Sequence, residues 1–249
     1  MILTNEKQDK KVAVITDASS PAAEAIAKKL EGKGMIVVRN YPREKMGDGD
    51  NDFRFSYDTT SIDDMKQLLT YILEDIGTVI ALIHTDNVII PSSIEQIDEE
   101  TFKTALDFNT KTAFVTTKVF AEYMGEQGTG AVVYLSSIHG EKPTGSAFSY
   151  SVSKGAVKML CKEMALFYGR KGVRSNLIEV DYIEEDRELL DSNISPFNYD
   201  AETKIPLKRL ANPEDCAGAA AFLISEDAAF INGAEIRIDG GHVLYYGDR

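Results

Sequence analysis

Residues 131–168 read AVVYLSSIHGEKPTGSAFSYSVSKGAVKMLCKEMALFY, and this stretch decides the fold. Its first five residues are a continuous apolar run, the pattern of a strand buried on both faces. Ser136 and Ser137 end the run and a loop follows. Over residues 150–168 apolar positions return at helical spacing. Strand, loop and long helix, in that order, make up one unit of an alternating α/β chain.

The same alternation extends in both directions. Strands are expected at residues 12–16 (VAVIT), 35–38, 78–83 (TVIALI), 131–135, 173–180 and 235–238. Helices are expected at residues 22–30, 63–75, 99–124 and 150–168, with a last one opening at Asn212 and running to about residue 224. Apolar strands separated by helices imply a parallel sheet covered on both faces. The expected fold is a Rossmann-type doubly wound parallel sheet, three-layer α/β/α, forming a single domain over residues 1–249. In such sheets the site lies at the carboxyl ends of the strands. Residues 183–206 are acidic and irregular, with Pro196 and Pro206, and are expected to form a flap over that site.

The totals exclude several classes of function. A net charge of -13 argues against nucleic acid or an anionic membrane as partner, and no basic patch opposes that reading. The apolar runs are too short to span a bilayer. The opening MILTNEKQDKK is polar, with no apolar core of a signal peptide, so the cytoplasm is the expected location. Cys161 and Cys216 each fall in a helix without Cys-x-x-Cys spacing and are expected as buried thiols. His84, His139 and His242 show no metal-ligand spacing, and no metal is expected. His139 is close enough in sequence to Ser137 to touch a substrate.

Tyr150 and Lys154 stand four apart at the start of the long helix, which stacks them on one face. A phenol titrates near pH 10, too high for acid-base work at neutral pH, and a neighbouring ammonium favours the phenolate. Ser137, at the carboxyl end of its strand, is placed to hold a substrate oxygen near that phenol. Such Tyr-x-x-x-Lys pairs also arise by chance, as a solvated lysine beside a half-buried tyrosine. The order strand, Ser137, loop, Tyr150, helix favours a proton-transfer site.

The segment YLSSIHG…YSVSKGAVKML resembles the catalytic core of the short-chain dehydrogenase/reductases, and most nearly that of the β-ketoacyl-acyl-carrier-protein reductases. The tail PLKRLANPEDCAGAAAFLISEDAAFINGAEIRIDGGHVL and the middle segment DFNTKTAFVTTK resemble the same family, so the likeness covers residues 11–244. The resemblance implies a tetrad at Asn109, Ser137, Tyr150 and Lys154. In the family the tyrosine is acid or base, the serine holds the carbonyl, and the lysine lowers the tyrosine pKa and binds the nicotinamide ribose. The asparagine positions a water. The cofactor implied is NADP or NAD. Asp58, in SYDTT, matches the acidic residue that contacts the adenine. Asn40 and Tyr41 with Arg43 resemble variants that prefer the 2′-phosphate of NADP, although a surface charge accounts for Arg43 equally well. The substrate implied is a carbonyl on a small molecule or an acyl carrier. The resemblance also implies a homodimer or homotetramer built on the two long helices and on the last helix and strand.

The family pattern breaks at the nucleotide cradle. Its first turn reads Thr-Gly-x-x-x-Gly-Ile/Leu-Gly, and here the residues are Thr16, Asp17, Ala18, Ser19, Ser20, Pro21, Ala22 and Ala23. Glycines there let backbone amides approach a pyrophosphate. Pro21 has no N–H, and Ser20 with Pro21 reads as a helix start that caps itself. His84-Thr85-Asp86-Asn87 stands for Asn-Asn-Ala-Gly, Val180-Asp181 for Pro-Gly, and Glu185 for a threonine. Asp17, Ser20, Arg43, Asp58, Asn87, Tyr150, Lys154 and Asp181 are thus the candidate cofactor contacts. Asp17, Asp86, Asp181 and Glu185 are expected along one groove, where they repel the phosphates of a dinucleotide. Shifted loops, or acids serving as caps and turn formers, are the alternatives. Three functions follow: an NAD(P)(H)-dependent carbonyl reductase or alcohol dehydrogenase; a non-redox subunit that binds neither nucleotide and pairs with a paralogue; or acid-base chemistry at Ser137, Tyr150 and Lys154 without a cofactor.

Overall fold

The structure, a computed structural model, describes residues 10–42, 53–143, 145–183 and 204–244. The strands are β1 (Lys11–Ile15), β2 (Ile36–Asn40), β3 (Arg54–Phe55), β4 (Thr78–His84), β5 (Gly130–Ser137), β6 (Val173–Val180) and β7 (Glu235–Ile238). They form one parallel sheet in the order β3-β2-β1-β4-β5-β6-β7. Six strands were expected. The seventh, β3, is two residues long, too short for any periodic signature, and hydrogen-bonds to the edge of β2. Strand order reverses between β1 and β4, which opens a crevice at their carboxyl ends.

The helices are α1 (Pro21–Glu31), α2 (Ile62–Tyr71), α3 (Glu99–Leu106), α4 (Thr112–Gln127), α5 (Phe148–Gly169) and α6 (Pro213–Leu223). Alternate side chains of each strand enter opposite cores. Val12, Val14, Leu82, Val132 and Tyr134 pack with residues of α2, α4 and α5. Ala13, Ile15, Ile83 and Val133 pack with residues of α1 and α6. Burial on both faces is why the strands read as unbroken apolar runs. Both cysteines are buried as expected, Cys161 in α5 and Cys216 in α6. Among the described residues no helix is long and apolar enough to cross a membrane.

Local chemistry sets the helix ends. Ser20 accepts from the N–H of Ala23 at 3.1 Å, with Pro21 at the first helical position. Asp98 caps α3 through the N–H of Thr101. Asn212 and Asp215 form a reciprocal capping box on α6. The helix expected over 99–124 is not continuous. A five-residue π-turn, Asp107–Lys111, separates α3 from α4 and carries the buried Asn109. Such bulges rotate one side chain out of the helical register, which apolar periodicity does not reveal.

Candidate active site

Ser137 is the last residue of β5, and its Oγ accepts from the N–H of His139 at 3.2 Å. α5 starts at Phe148, so Tyr150 lies in its first turn and Lys154 one turn later. Tyr150 is 5% exposed and Lys154 2%, and the lysine Nζ lies 5.4 Å from the centre of the phenol ring. That burial excludes a solvated lysine. Ser137, Tyr150, His139, Asp181 and Tyr182 line one cavity of about 120 Å³ at the ends of β5 and β6. His139 stands edge-on to both aromatic rings, 6.2 Å from Tyr150 and 5.3 Å from Tyr182. Its nearness to Ser137 in sequence does carry through to the cavity wall.

The Lys154 ammonium donates to the carbonyl of Asp86 at 3.4 Å. Burial pushes its pKa down to about 8, and the charge of Asp86 opposes that fall. His84, fully buried beside Asp86, is held well below the usual imidazole range by burial and by Lys154, and is therefore neutral.

Asn109 is fully buried and is not among the residues lining the cavity. Its Oδ1 accepts from the N–H of Val88 at 2.8 Å, and its Nδ2 donates to the Val88 carbonyl at 2.9 Å and to Ser153 Oγ at 3.0 Å. The Ser153 hydroxyl in turn donates to the Tyr150 carbonyl at 2.7 Å. Asn109 thus braces the loop after β4 against α5. Sequence reasoning passed over Ser153, although its place between Tyr150 and Lys154, three residues from the tyrosine, was a usable signal.

A second, larger cleft of about 750 Å³ opens beside the cavity at the β1–β4 crevice. Asp17, Asn40, Tyr57, Asp58 and Asp86 line it, and the exposed Asn87 lines both spaces. Asp58 is exposed, and its Oδ1 accepts from the N–H and hydroxyl of Thr60, both at 2.8 Å. The Asn40 side chain is occupied, donating to the carbonyls of Thr16 and Tyr57 and accepting from the N–H of Tyr57. Tyr41 is buried. Arg39, just before them, is buried between Glu24 and Glu31. Arg43 lies outside the described residues, as do Glu185 and residues 184–203 of the expected flap.

Of the four acids expected along one groove, three are described, and they line two adjoining spaces that share Asn87. Asp17 and Asp86 line the larger cleft, whereas Asp181 lines the smaller cavity. Each is also engaged within the protein. Asp17 Oδ1 accepts from the N–H of Ser19 at 2.9 Å. Asp86 accepts from the hydroxyls of Thr16 and, at 2.8 Å, Thr59. Asp181 Oδ2 meets His242 Nδ1 at 2.6 Å. Caps and turns thus account for Asp17, and buried polar pairs for the other two. The glycine-free turn is pinned by Thr85, whose hydroxyl accepts from the N–H of Asp17 at 3.0 Å and donates to its carbonyl at 2.7 Å. Partners 61 and 68 residues apart left no local trace in the sequence.

A family model described as Enoyl-(Acyl carrier protein) reductase matches residues 18–243. Glucose 1-dehydrogenase 2 of Bacillus subtilis is 29% identical over 247 residues, covering 94% of this chain and 95% of the relative. The 7alpha-hydroxysteroid dehydrogenase of Paraclostridium sordellii is 28% identical, covering 96% of this chain and 94% of its own. Among solved structures, the ligand-free aldohexose dehydrogenase of Thermoplasma acidophilum superposes with a TM-score of 0.87 at 24% identity, covering 98% of both chains. A gluconate 5-dehydrogenase from Burkholderia cenocepacia, in complex with NADP and tartrate, gives 0.84 at 21% identity over 96% of both chains. At such identities the structural likeness speaks for the fold alone.

Proposed function

The chain belongs to the short-chain dehydrogenase/reductase family, and on that premise we propose that it interconverts an alcohol and a carbonyl with NAD or NADP, Tyr150 acting as acid or base. One observation carries the reading: the Ser137 and Tyr150 side chains line a single cavity, with the Lys154 ammonium buried beside the phenol ring. In reduction, the substrate carbonyl accepts hydrogen bonds from the hydroxyls of Ser137 and Tyr150. Tyr150 then gives up its proton to the forming alkoxide, and Lys154 stabilises the phenolate left behind. The nicotinamide, when bound, supplies the hydride to the carbonyl carbon. The reacting end of the substrate, borne on a small molecule or an acyl carrier, enters a space of about 120 Å³.

The residues present fit a nicotinamide nucleotide. The larger cleft adjoins the cavity through Asn87, and Asp58, which lines it, is the residue this reading assigns to the adenosine. Ser20, Asn87 and Asp181 line the smaller cavity, which this reading assigns to the nicotinamide, and Lys154 is buried beside the Tyr150 ring there. The turn after β1 contributes less than a glycine-rich one. The N–H of Ser19 is spent on Asp17, that of Ala23 on Ser20, and Pro21 has none. Affinity for the pyrophosphate is therefore expected to be weaker than a glycine turn gives. A thermal-shift titration with NADH and NADPH tests the reading, since ligand at 100 times its Kd stabilises a fold by about 2.7 kcal/mol. No shift with either nucleotide at millimolar concentration would overturn it. That outcome would favour a second reading, supported by the self-capped α1, in which the chain is a non-redox subunit binding no nucleotide.

The proposal extends to assembly with a second copy. Phe114 on α4 and Val152, Met159, Leu166 and Phe167 on α5 are exposed large apolar side chains. They stand on the two helices that the family resemblance assigns to an interface. Light scattering giving a monomer's mass of 27.5 kDa at micromolar concentration would oppose this.

A further inference from the structure

The most unusual group near the catalytic lysine is a buried carboxylate at the end of β4. We propose that Asp86 is a positioning residue for Lys154, its buried carboxylate serving as the fixed counter-charge to that ammonium. The inference rests on the reading of Lys154 as part of the proton-transfer site.

Geometry carries it. Asp86 follows β4 by two residues and is almost wholly buried. Two hydroxyls from separate segments fix its carboxylate. Thr16, just past β1, donates to Oδ2, and Thr59, in the loop after β3, donates to Oδ1 at 2.8 Å. The main-chain carbonyl of the same residue accepts from Lys154 Nζ at 3.4 Å. One residue therefore holds the lysine by its carbonyl and offsets its charge by its side chain. Burial raises the Asp86 pKa, and the hydrogen bonds from Thr16 and Thr59 and the charge of Lys154 oppose that rise.

Among the described residues, the other titratable groups around Lys154 do not supply the charge. Tyr150, on its own helix, presents a ring face at 5.4 Å. His84, on β4, is buried and neutral. His139 meets Tyr150 and Tyr182. Glu179, on β6, is engaged by Lys158 and Arg237. Asp86 is the carboxylate whose charge counters the burial of Lys154. This gives the acidic residue that stands in the family's Asn-Asn-Ala-Gly segment a role other than repelling phosphate.

The test follows the lysine directly. Lysine labelled with ¹³C at Cε is titrated by NMR, the Lys154 resonance being assigned by its loss in Lys154→Met. In Asp86→Asn, which keeps shape and loses charge, the Lys154 midpoint is expected to fall by about one unit or more. A tie between strands alone would leave that midpoint where it is, and an unmoved midpoint overturns the proposal. The reciprocal arm does not need the Asp86 variant to fold. Coupling is mutual, so Lys154→Met must raise the Asp86 midpoint, read from its labelled ¹³Cγ, and no rise also overturns it. Neither arm needs turnover or nucleotide, so failure of the oxidoreductase reading remains distinguishable.

Discussion

Asn109 and Tyr150 are joined through one hydroxyl: Asn109 Nδ2 donates to Ser153 Oγ at 3.0 Å, and that hydroxyl donates to the Tyr150 carbonyl at 2.7 Å. The π-turn between α3 and α4 makes the link possible, because it turns Asn109 inward. Asn109→Ala would leave the Val88 N–H and carbonyl without their partner. The expected cost is about 3 kcal/mol, or a fall in Tm of roughly 6–12 °C for a chain of this size. Differential scanning calorimetry measures it, and an unchanged Tm would mean that Asn109 is not a brace.

Lys154 ties stability to pH with a definite sign. Its folded pKa, about 8, lies below the unfolded value of 10.5. Between those values the unfolded chain binds the extra proton, so this lysine's contribution to stability rises with pH. Below pH 8 the buried charge costs on the order of 3 kcal/mol. Lys154→Met is therefore expected to be more stable than the parent at pH 7, with the gap closing toward pH 11. Denaturant midpoints of both proteins across that range measure this, and a gap that widens with pH would contradict it.

If Tyr150 is the acid-base group, Tyr150→Phe removes the proton donor and little else. Turnover with a carbonyl substrate should drop by about 10²–10⁴-fold, while the nucleotide Kd stays within a few-fold. Steady-state kinetics with a fluorescence titration separates the two quantities. Full turnover in this variant would assign the proton to another group.

The turn after β1 offers a gain-of-affinity experiment. Asp17→Gly removes a carboxylate from the larger cleft and releases the N–H of Ser19. Nucleotide binding is expected to tighten by about tenfold, equivalent to roughly 1.4 kcal/mol. Isothermal titration of both proteins reads it directly. Equal or weaker binding would show that Asp17 does not limit the site.

The sequence by itself determined the layers and the order of strands and helices, because apolar periodicity and capping chemistry act over a few residues. It also determined that Ser137, Tyr150 and Lys154 belong near one another, since one strand end and one helix turn carry them. Two features escaped it for the same local reason. β3 is too short to have a period, and the π-turn breaks a helix without breaking its apolar pattern. What the new acids do was decided by tertiary structure alone. Asp86 looked like a repulsive charge until the fold brought Thr16 and Thr59 to it from 70 and 27 residues away. Asp181 found His242 across 61 residues. A buried charge takes its meaning from whatever stands within a few ångströms of it, and only the folded chain sets those distances.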